Sequence, residues 1–297
     1  MTGASGDCLR TCERALENWP TDRSLRGSQG NALRAMNRLT EAAEVFRAMI
    51  DEGPAGPADP DHRTALAGLG ACLAMLGRHE EALPWARKAR ALAGARHLQA
   101  QGDVQVAWSL SETGRLEEAA ASLLHALEAL GEDGPPRARA NAMQSLGSVL
   151  RSLGERERAR EYFERSLPLY HLATGGGVAY SMINLGQLAL EDGALAQARE
   201  YLERGAQQGE HQGRPHVTAI AVAGLLEAAV NVSDPEWDRT LERMRELPPA
   251  STVHRHVVHT LRLAADAARR ANRLARAEAV MALLARPDPS SSRNQEA

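Results

Sequence analysis

Apolar residues in this chain recur with a helical period and are interrupted at regular intervals by glycine or asparagine. Leu116, Ala119, Ala120, Leu123, Leu127 and Leu130 form one continuous stripe at spacings of three and four, the periodicity of a helix buried on one side. A longer pattern encloses such stripes. It consists of a small residue, a Gly or Asn seven positions on, an Ala five further on, and an apolar residue four after that. The instances are Gly30…Asn37…Ala42…Phe46, Gly70…Gly77…Ala82…Ala86, Ala107…Gly114…Ala119…Leu123, Gly147…Gly154…Ala159…Phe163, Gly186…Gly193…Ala198…Leu202 and Ala265…Asn272…Ala277…Met281. Successive turn residues are separated by 40, 37, 40, 39 and 79 positions. The last gap spans two periods. A degenerate repeat fills it, with helices expected near 216–230 and 235–247 around Ser233-Asp234-Pro235.

Each position has a physical reason. The small residue lets a second helix approach the first. Gly or Asn at the turn can take the left-handed conformation that ends a helix. Ala in the second helix fits opposite the small residue. Such a hairpin cannot bury its apolar face alone, so neighbouring hairpins must stack.

Composition supports helices over strands. Hydrophobic residues make up 43 % and charged residues 25 % of the 297 positions, which argues against wholesale disorder. Aromatics reach only 3 %, so the core must come from Ala and Leu, both strong helix formers. The net charge of −3 and a pI near 6.4 leave no basic footprint for nucleic acid. Three cysteines, Cys8, Cys12 and Cys72, do not make a disulfide framework. The start shows neither the basic nor the apolar region of a signal peptide. No apolar run approaches the roughly 20 residues of a membrane span. A reducing, cytoplasmic location is expected, with no membrane contact.

The runs Asn184-Leu185-Gly186…Gly193…Ala198…Leu202, Ser145-Leu146-Gly147…Leu150…Gly154…Ala159…Phe163 and Leu69-Gly70…Leu73…Gly77…Ala82 resemble the tetratricopeptide repeat. The resemblance covers residues 3–285. The classical period is about 34 residues. The longer period here is similar to the variant of kinesin light chains, and to arrays in bacterial regulators that follow ATPase, kinase or DNA-binding modules. The resemblance implies an all-α fold, a right-handed α-solenoid of about six or seven stacked antiparallel helix pairs. It also implies a concave groove lined by the first helix of each pair, which holds a protein or peptide segment. Carried over residue by residue, the groove positions include Gln101, Trp108 and Glu112, then Asn141, Gln144 and Arg151, then Tyr180, Gln187 and Glu191. Amides can donate to and accept from an extended backbone at once. Trp, Tyr and Arg are enriched at binding hot spots. In the final repeat the same positions include His259, Arg262, Asp266, Arg269 and Arg270, whose arginines suit an acidic segment or a solvated face. For Trp108 the alternative is packing between helices.

The organisation expected is a half repeat over residues 1–22, an array over 23–286 and a disordered tail over 287–297. In the half repeat Gly3 takes the turn position, while Cys8 and Cys12 take core positions of a second helix whose first helix is missing. The last helix, Arg273 to Ala285, shows Leu274, Ala277, Met281 and Leu284 without a polar capping helix, which offers a homodimer contact.

Other chemistry is poorly supported. His254, His256 and His259 lack accompanying Cys or carboxylate ligands, so no metal is assigned. Glu210 and His211 fall in a Gly-rich stretch read as a loop, Gln207–Pro215, with His216 just after it, and no nucleophile accompanies the three. His171 joins His211 and His216 in an enzyme reading that has no motif behind it. Thr174-Gly175-Gly176-Gly177 lacks the Gly-Lys ending of a phosphate loop. No catalytic residue and no cofactor is assigned. The reading is a non-enzymatic binding scaffold; the alternative is the sensor portion of a bacterial signalling or transcription regulator whose effector lies elsewhere.

Overall fold

The computed structural model of the chain describes residues 2–56, 59–173, 177–230, 234–248 and 255–285. Among them every regular element is a helix: α1 (Thr2–Asn18), α2 (Arg23–Ala35), α3 (Leu39–Asp51), α4 (Pro60–Met75), α5 (His79–Ala91), α6 (Arg96–Glu112), α7 (Leu116–Leu130), α8 (Pro136–Ser152), α9 (Arg156–Leu172), α10 (Val178–Glu191), α11 (Leu195–His211), α12 (Pro215–Ala228), α13 (Asp234–Glu246), α14 (Arg255–Arg270) and α15 (Leu274–Leu284). Two compact units divide the chain, Met1–Ala159 and Arg160–Ala297. Each is a stack of antiparallel helix pairs, the architecture of an α-solenoid.

The pairs are made by one turn used repeatedly. Asn37 (φ 62°), Gly77 (79°), Gly114 (78°), Gly154 (81°), Gly193 (72°) and Asn272 (56°) all stand in the left-handed region. In each case the residue that follows donates its N–H to a carbonyl five positions earlier, as in Arg38 to Leu33 at 2.9 Å and Arg273 to Ala268 at 2.8 Å. That bond satisfies a carbonyl the helix end would otherwise leave open. The first three second helices add an exposed staple: Arg38, Arg78 and Arg115 reach Glu41, Glu81 and Glu118 with paired guanidinium hydrogen bonds.

Glycine sockets join neighbouring pairs within each unit. In the first, Phe46 of α3 is fully buried. A Cβ on Gly30 of α2 would lie 2.6 Å from its ring, and one on Gly68 of α4 would lie 2.5 Å from it. In the second, Leu202 of α11 sits the same way, 2.6 Å from a Cβ on Gly186 and 2.9 Å from one on Gly224. Thus a large side chain of a second helix docks between its own first helix and the next one. Around Leu202, α12 is buried on all sides, with only Pro215, His216 and Glu227 not fully buried. It packs against α10, α11, α13 and α14 and forms the centre of this unit's core.

Two sequence expectations change. Cys8 is exposed, whereas Cys12 is buried beside Leu9. The inward face of α1 therefore runs through Leu9 and Cys12, and the register of the half repeat is displaced; Gly3 lies inside α1 and not at a turn. The stretch read as the loop Gln207–Pro215 is helical as far as His211. Its glycines serve packing: a Cβ on Gly209 would stand 2.9 Å from the Thr218 backbone nitrogen. α11 and α12 come so close there that no side chain fits. The expected tail, 287–297, and His254 lie outside the described residues, as does the side chain of His256.

Candidate functional site

The first-unit part of the expected groove stands on α6 and α8, which pack together. Gln101, Glu112 and Asn141 are exposed, while Trp108, Gln144 and Arg151 are half-buried. Trp108 contributes to both core and surface. Its ring packs against the cluster containing Phe46, Leu69 and Leu73. It meets His79 of α5 edge-on, with ring centroids 5.6 Å apart. Gln105, one turn before Trp108, was not singled out from sequence. Its amide donates to the Ala67 carbonyl of α4 at 2.9 Å and so links adjacent first helices.

The second-unit part stands on α10. Tyr180 and Gln187 are half-buried and Glu191 is exposed. Tyr180 is tied to the start of α12. Its hydroxyl lies 3.2 Å from His216 Nε2 and accepts from Arg214 at 3.4 Å. The Arg214 guanidinium also lies over the ring, 5.1 Å from its centroid. Burial pushes the phenol upward from its usual range, and the Arg214 charge opposes that. Tyr180 is therefore a held aromatic, prepositioned at low entropic cost. Further along the same helix layer, Glu227 of α12 was missed from sequence. Burial raises its carboxyl, Arg270 of α14 lowers it and Glu191 raises it again. Glu191, Glu227 and Arg270 thus lie within electrostatic range on successive first helices. One sequence signal points to Glu227: it is the lone acidic residue of a predominantly apolar helix.

The other candidates are not assembled into a site. His171 and His211 are exposed on α9 and α11, and His216 is engaged with Tyr180. His259, Arg262, Asp266, Arg269 and Arg270 are exposed on α14, where Arg269 pairs with Asp266 at 2.7 Å. A different polar cluster lies in the first unit. Asp103 of α6 is 4 % exposed. It is held by Arg90 Nε of α5 and by His125 Nδ1 of α7, the latter at 2.8 Å. Among the described residues no hydroxyl or thiol is seen bonded to it, and its geometry is that of a latch between consecutive second helices. Among the described residues no helix is long and apolar enough to cross a membrane.

Tetratricopeptide repeat models match residues 98–171 and 139–207, and a second such model matches 9–57 and 58–97. No curated protein matches the chain. Among solved structures, it is similar to a Rap protein complexed with competence and sporulation factor, at a TM-score of 0.71 and 13 % identity over 88 % of this chain and 74 % of that one. It is similar to aspartyl phosphate phosphatase F from Bacillus subtilis, at 0.66 and 13 % over 88 % and 70 %. It is also similar to PilF of Pseudomonas aeruginosa, at 0.55 and 21 % over 77 % and 92 %. At these identities the likenesses establish the fold alone. Matched from residue 9 to residue 207 by repeat models of one kind, the chain belongs to the tetratricopeptide repeat family.

Proposed function

We propose that the chain is a protein- or peptide-binding scaffold that works through the inner faces of its first helices. In the first unit the occupant meets Gln101, Trp108, Glu112, Asn141, Gln144 and Arg151. A segment held by the second unit meets Tyr180, Gln187 and Glu191. The carrying observation is Trp108, packed against the core cluster yet part-exposed, on a helix that packs against α8 with its amides Asn141 and Gln144. A rigid aromatic next to amides suits an extended segment, since ordering costs little and backbone groups find partners. The scaffold has no catalytic role and needs no cofactor, acts in the cytoplasm, and leaves Leu274 and Met281 of α15 exposed for a second copy. Its organisation is a half repeat over 1–22, the array over 23–286 and a tail over 287–297.

A second reading is the sensor portion of a regulator whose effector lies elsewhere. It is favoured by the likeness to the Rap protein complexed with competence and sporulation factor. Both readings predict peptide binding. Selection from a displayed library of extended 12-residue peptides, followed by titration of the enriched sequences, tests it. Trp108→Ala should weaken peptides that occupy the first unit, and Gln187→Ala those on the second, by about tenfold at unchanged helicity. Undiminished affinity in both variants would overturn the groove assignment.

A further inference from the structure

The second helix of the degenerate repeat departs from the others at its fourth residue. The fourth residue of every other second helix from α3 onward is alanine: Ala42, Ala82, Ala119, Ala159, Ala198 and Ala277. These are at most 3 % exposed. They sit where paired helices approach most closely: a Cβ on Gly70 would be 3.4 Å from the Ala82 carbonyl oxygen, and one on Gly186 3.3 Å from that of Ala198. The fourth residue of α13 is Trp237. An indole cannot occupy a slot shaped for a methyl group, and α13 packs less closely on α12 than α11 does. Trp237 is fixed there. It is 3 % exposed, and the Arg276 guanidinium lies over its ring at 4.9 Å. Arg276 itself donates to the Ala229 and Val230 carbonyls at 3.0 and 2.8 Å.

This looser packing leaves a pocket of about 360 Å³, at the small end of the size range of ligand sites. Leu225 and Ala229 of α12 form an apolar floor. Thr240 of α13 and three arginines surround it. Two of those arginines are already neutralised. Arg199 pairs with Glu236, and Arg243 donates to Glu203 at 2.9 Å and to Glu210 at 2.8 Å. Among the described residues the third, Arg239, meets only the Pro235 carbonyl of its own helix, at 3.3 Å. An apolar floor beneath one guanidinium without a carboxylate defines the missing partner. The carboxylates of Glu203 and Glu236 in the wall disfavour a dianion, whereas a single carboxylate matches the guanidinium fork.

We propose that this pocket between α11, α12 and α13 binds a small amphipathic monocarboxylate, its carboxylate on Arg239 and its apolar body on Leu225 and Ala229. The site is separate from the inner faces of the first helices and does not depend on their occupant. Octanoate is the probe, with octanol and octylammonium as comparators, each titrated into the full chain by calorimetry and by ligand-observed saturation-transfer NMR. Two variants read the two halves of the site: Arg239→Ala removes the exposed guanidinium, and Thr240→Trp fills the pocket without changing charge. Octanoate should bind the native chain better than either comparator. Each variant should weaken it by about tenfold or more while circular dichroism stays unchanged. The proposal is overturned if octanoate does not bind, if octylammonium binds equally well, or if either folded variant retains native affinity. Should Thr240→Trp fail to fold, Arg239→Ala and the comparator order still decide.

Discussion

Substituting Gly68 by alanine tests the glycine socket most directly, because two effects of opposite sign compete there. On propensity alone, Gly→Ala inside a helix stabilises by about 1 kcal/mol. At Gly68, however, the new Cβ would stand 2.5 Å from Phe46 Cε2 and Cζ and 2.7 Å from Cε1. Carbon atoms rest at about 3.5–4.0 Å, so the ring would have to retreat by more than about 1 Å. It has little room to move, since α2 closes the other side just as tightly: a Cβ on Gly30 would also stand 2.6 Å from the ring. Overpacking of this severity costs about 3 kcal/mol, the upper end of its usual range. The net expectation is a loss of about 2 kcal/mol after the propensity gain. With a urea slope of about 2 kcal/mol/M, the midpoint falls by about 1 M. Tryptophan fluorescence reports it, since Trp19, Trp85 and Trp108 belong to the first unit and Trp237 to the second. Gly6→Ala is the control. Its Cβ would meet only an Arg10 side-chain atom at 3.7 Å, so it should show the propensity gain without the clash. Adding Phe46→Leu to Gly68→Ala should couple favourably, because the smaller side chain vacates the contested volume. A Gly68→Ala chain as stable as the Gly6→Ala chain would refute the socket.

Other outcomes follow from single contacts. Arg276→Met removes two buried guanidinium–carbonyl hydrogen bonds and the cover on Trp237; second-unit stability should fall by about 2–3 kcal/mol, with a red-shifted Trp237 emission that an intact wall would not show. Glu227 is raised mainly by burial, so the fold favours its protonated form, and that stability is lost as pH rises through the folded pKa. Glu227→Gln should therefore raise Tm at pH 7 and lose its advantage near pH 4, where equal gains at both values would contradict the assignment. Glu41, Glu81 and Glu118 are lowered chiefly by their arginine hydrogen bonds, so they stabilise above the ordinary carboxylate range and lose this as pH falls through their folded pKa values. A triple Gln variant should accordingly show a smaller drop in Tm between pH 5 and pH 3 than the native chain.

The hairpins were legible because their chemistry is local. A left-handed Asn37 or Gly193 needs no distant partner, so the turn positions and pair count follow from spacing alone. The degenerate repeat was locatable for the same reason: expected helices near 216–230 and 235–247 correspond to α12 and α13 at Pro215–Ala228 and Asp234–Glu246. What escaped was anything set by contact across the sequence. Gln105 meets Ala67 and Arg276 meets Ala229, pairs separated by 38 and 47 positions with no shared motif. The glycines of α11 look like loop residues until α12 is placed against them. Cys8 shows the remaining failure. One helical position decides whether a small thiol faces Leu33 and its neighbours or water, and a repeat counted from Gly3 does not resolve it. For the candidate groove, the family resemblance named residues such as Trp108, but its division between core and surface depends on the neighbouring repeat.

The reach of Arg276 also fixes an order in time. Ribosomes deliver the chain from its first residue onward, and α12, with Trp237 behind it, emerges well before Arg276. Until that arginine arrives, the carbonyls of Ala229 and Val230 lack its guanidinium and Trp237 lacks its cover. The wall that separates α13 from α12 is therefore completed only when α15 begins to form. A nascent chain halted before residue 276 would hold its earlier hairpins but not a finished pocket.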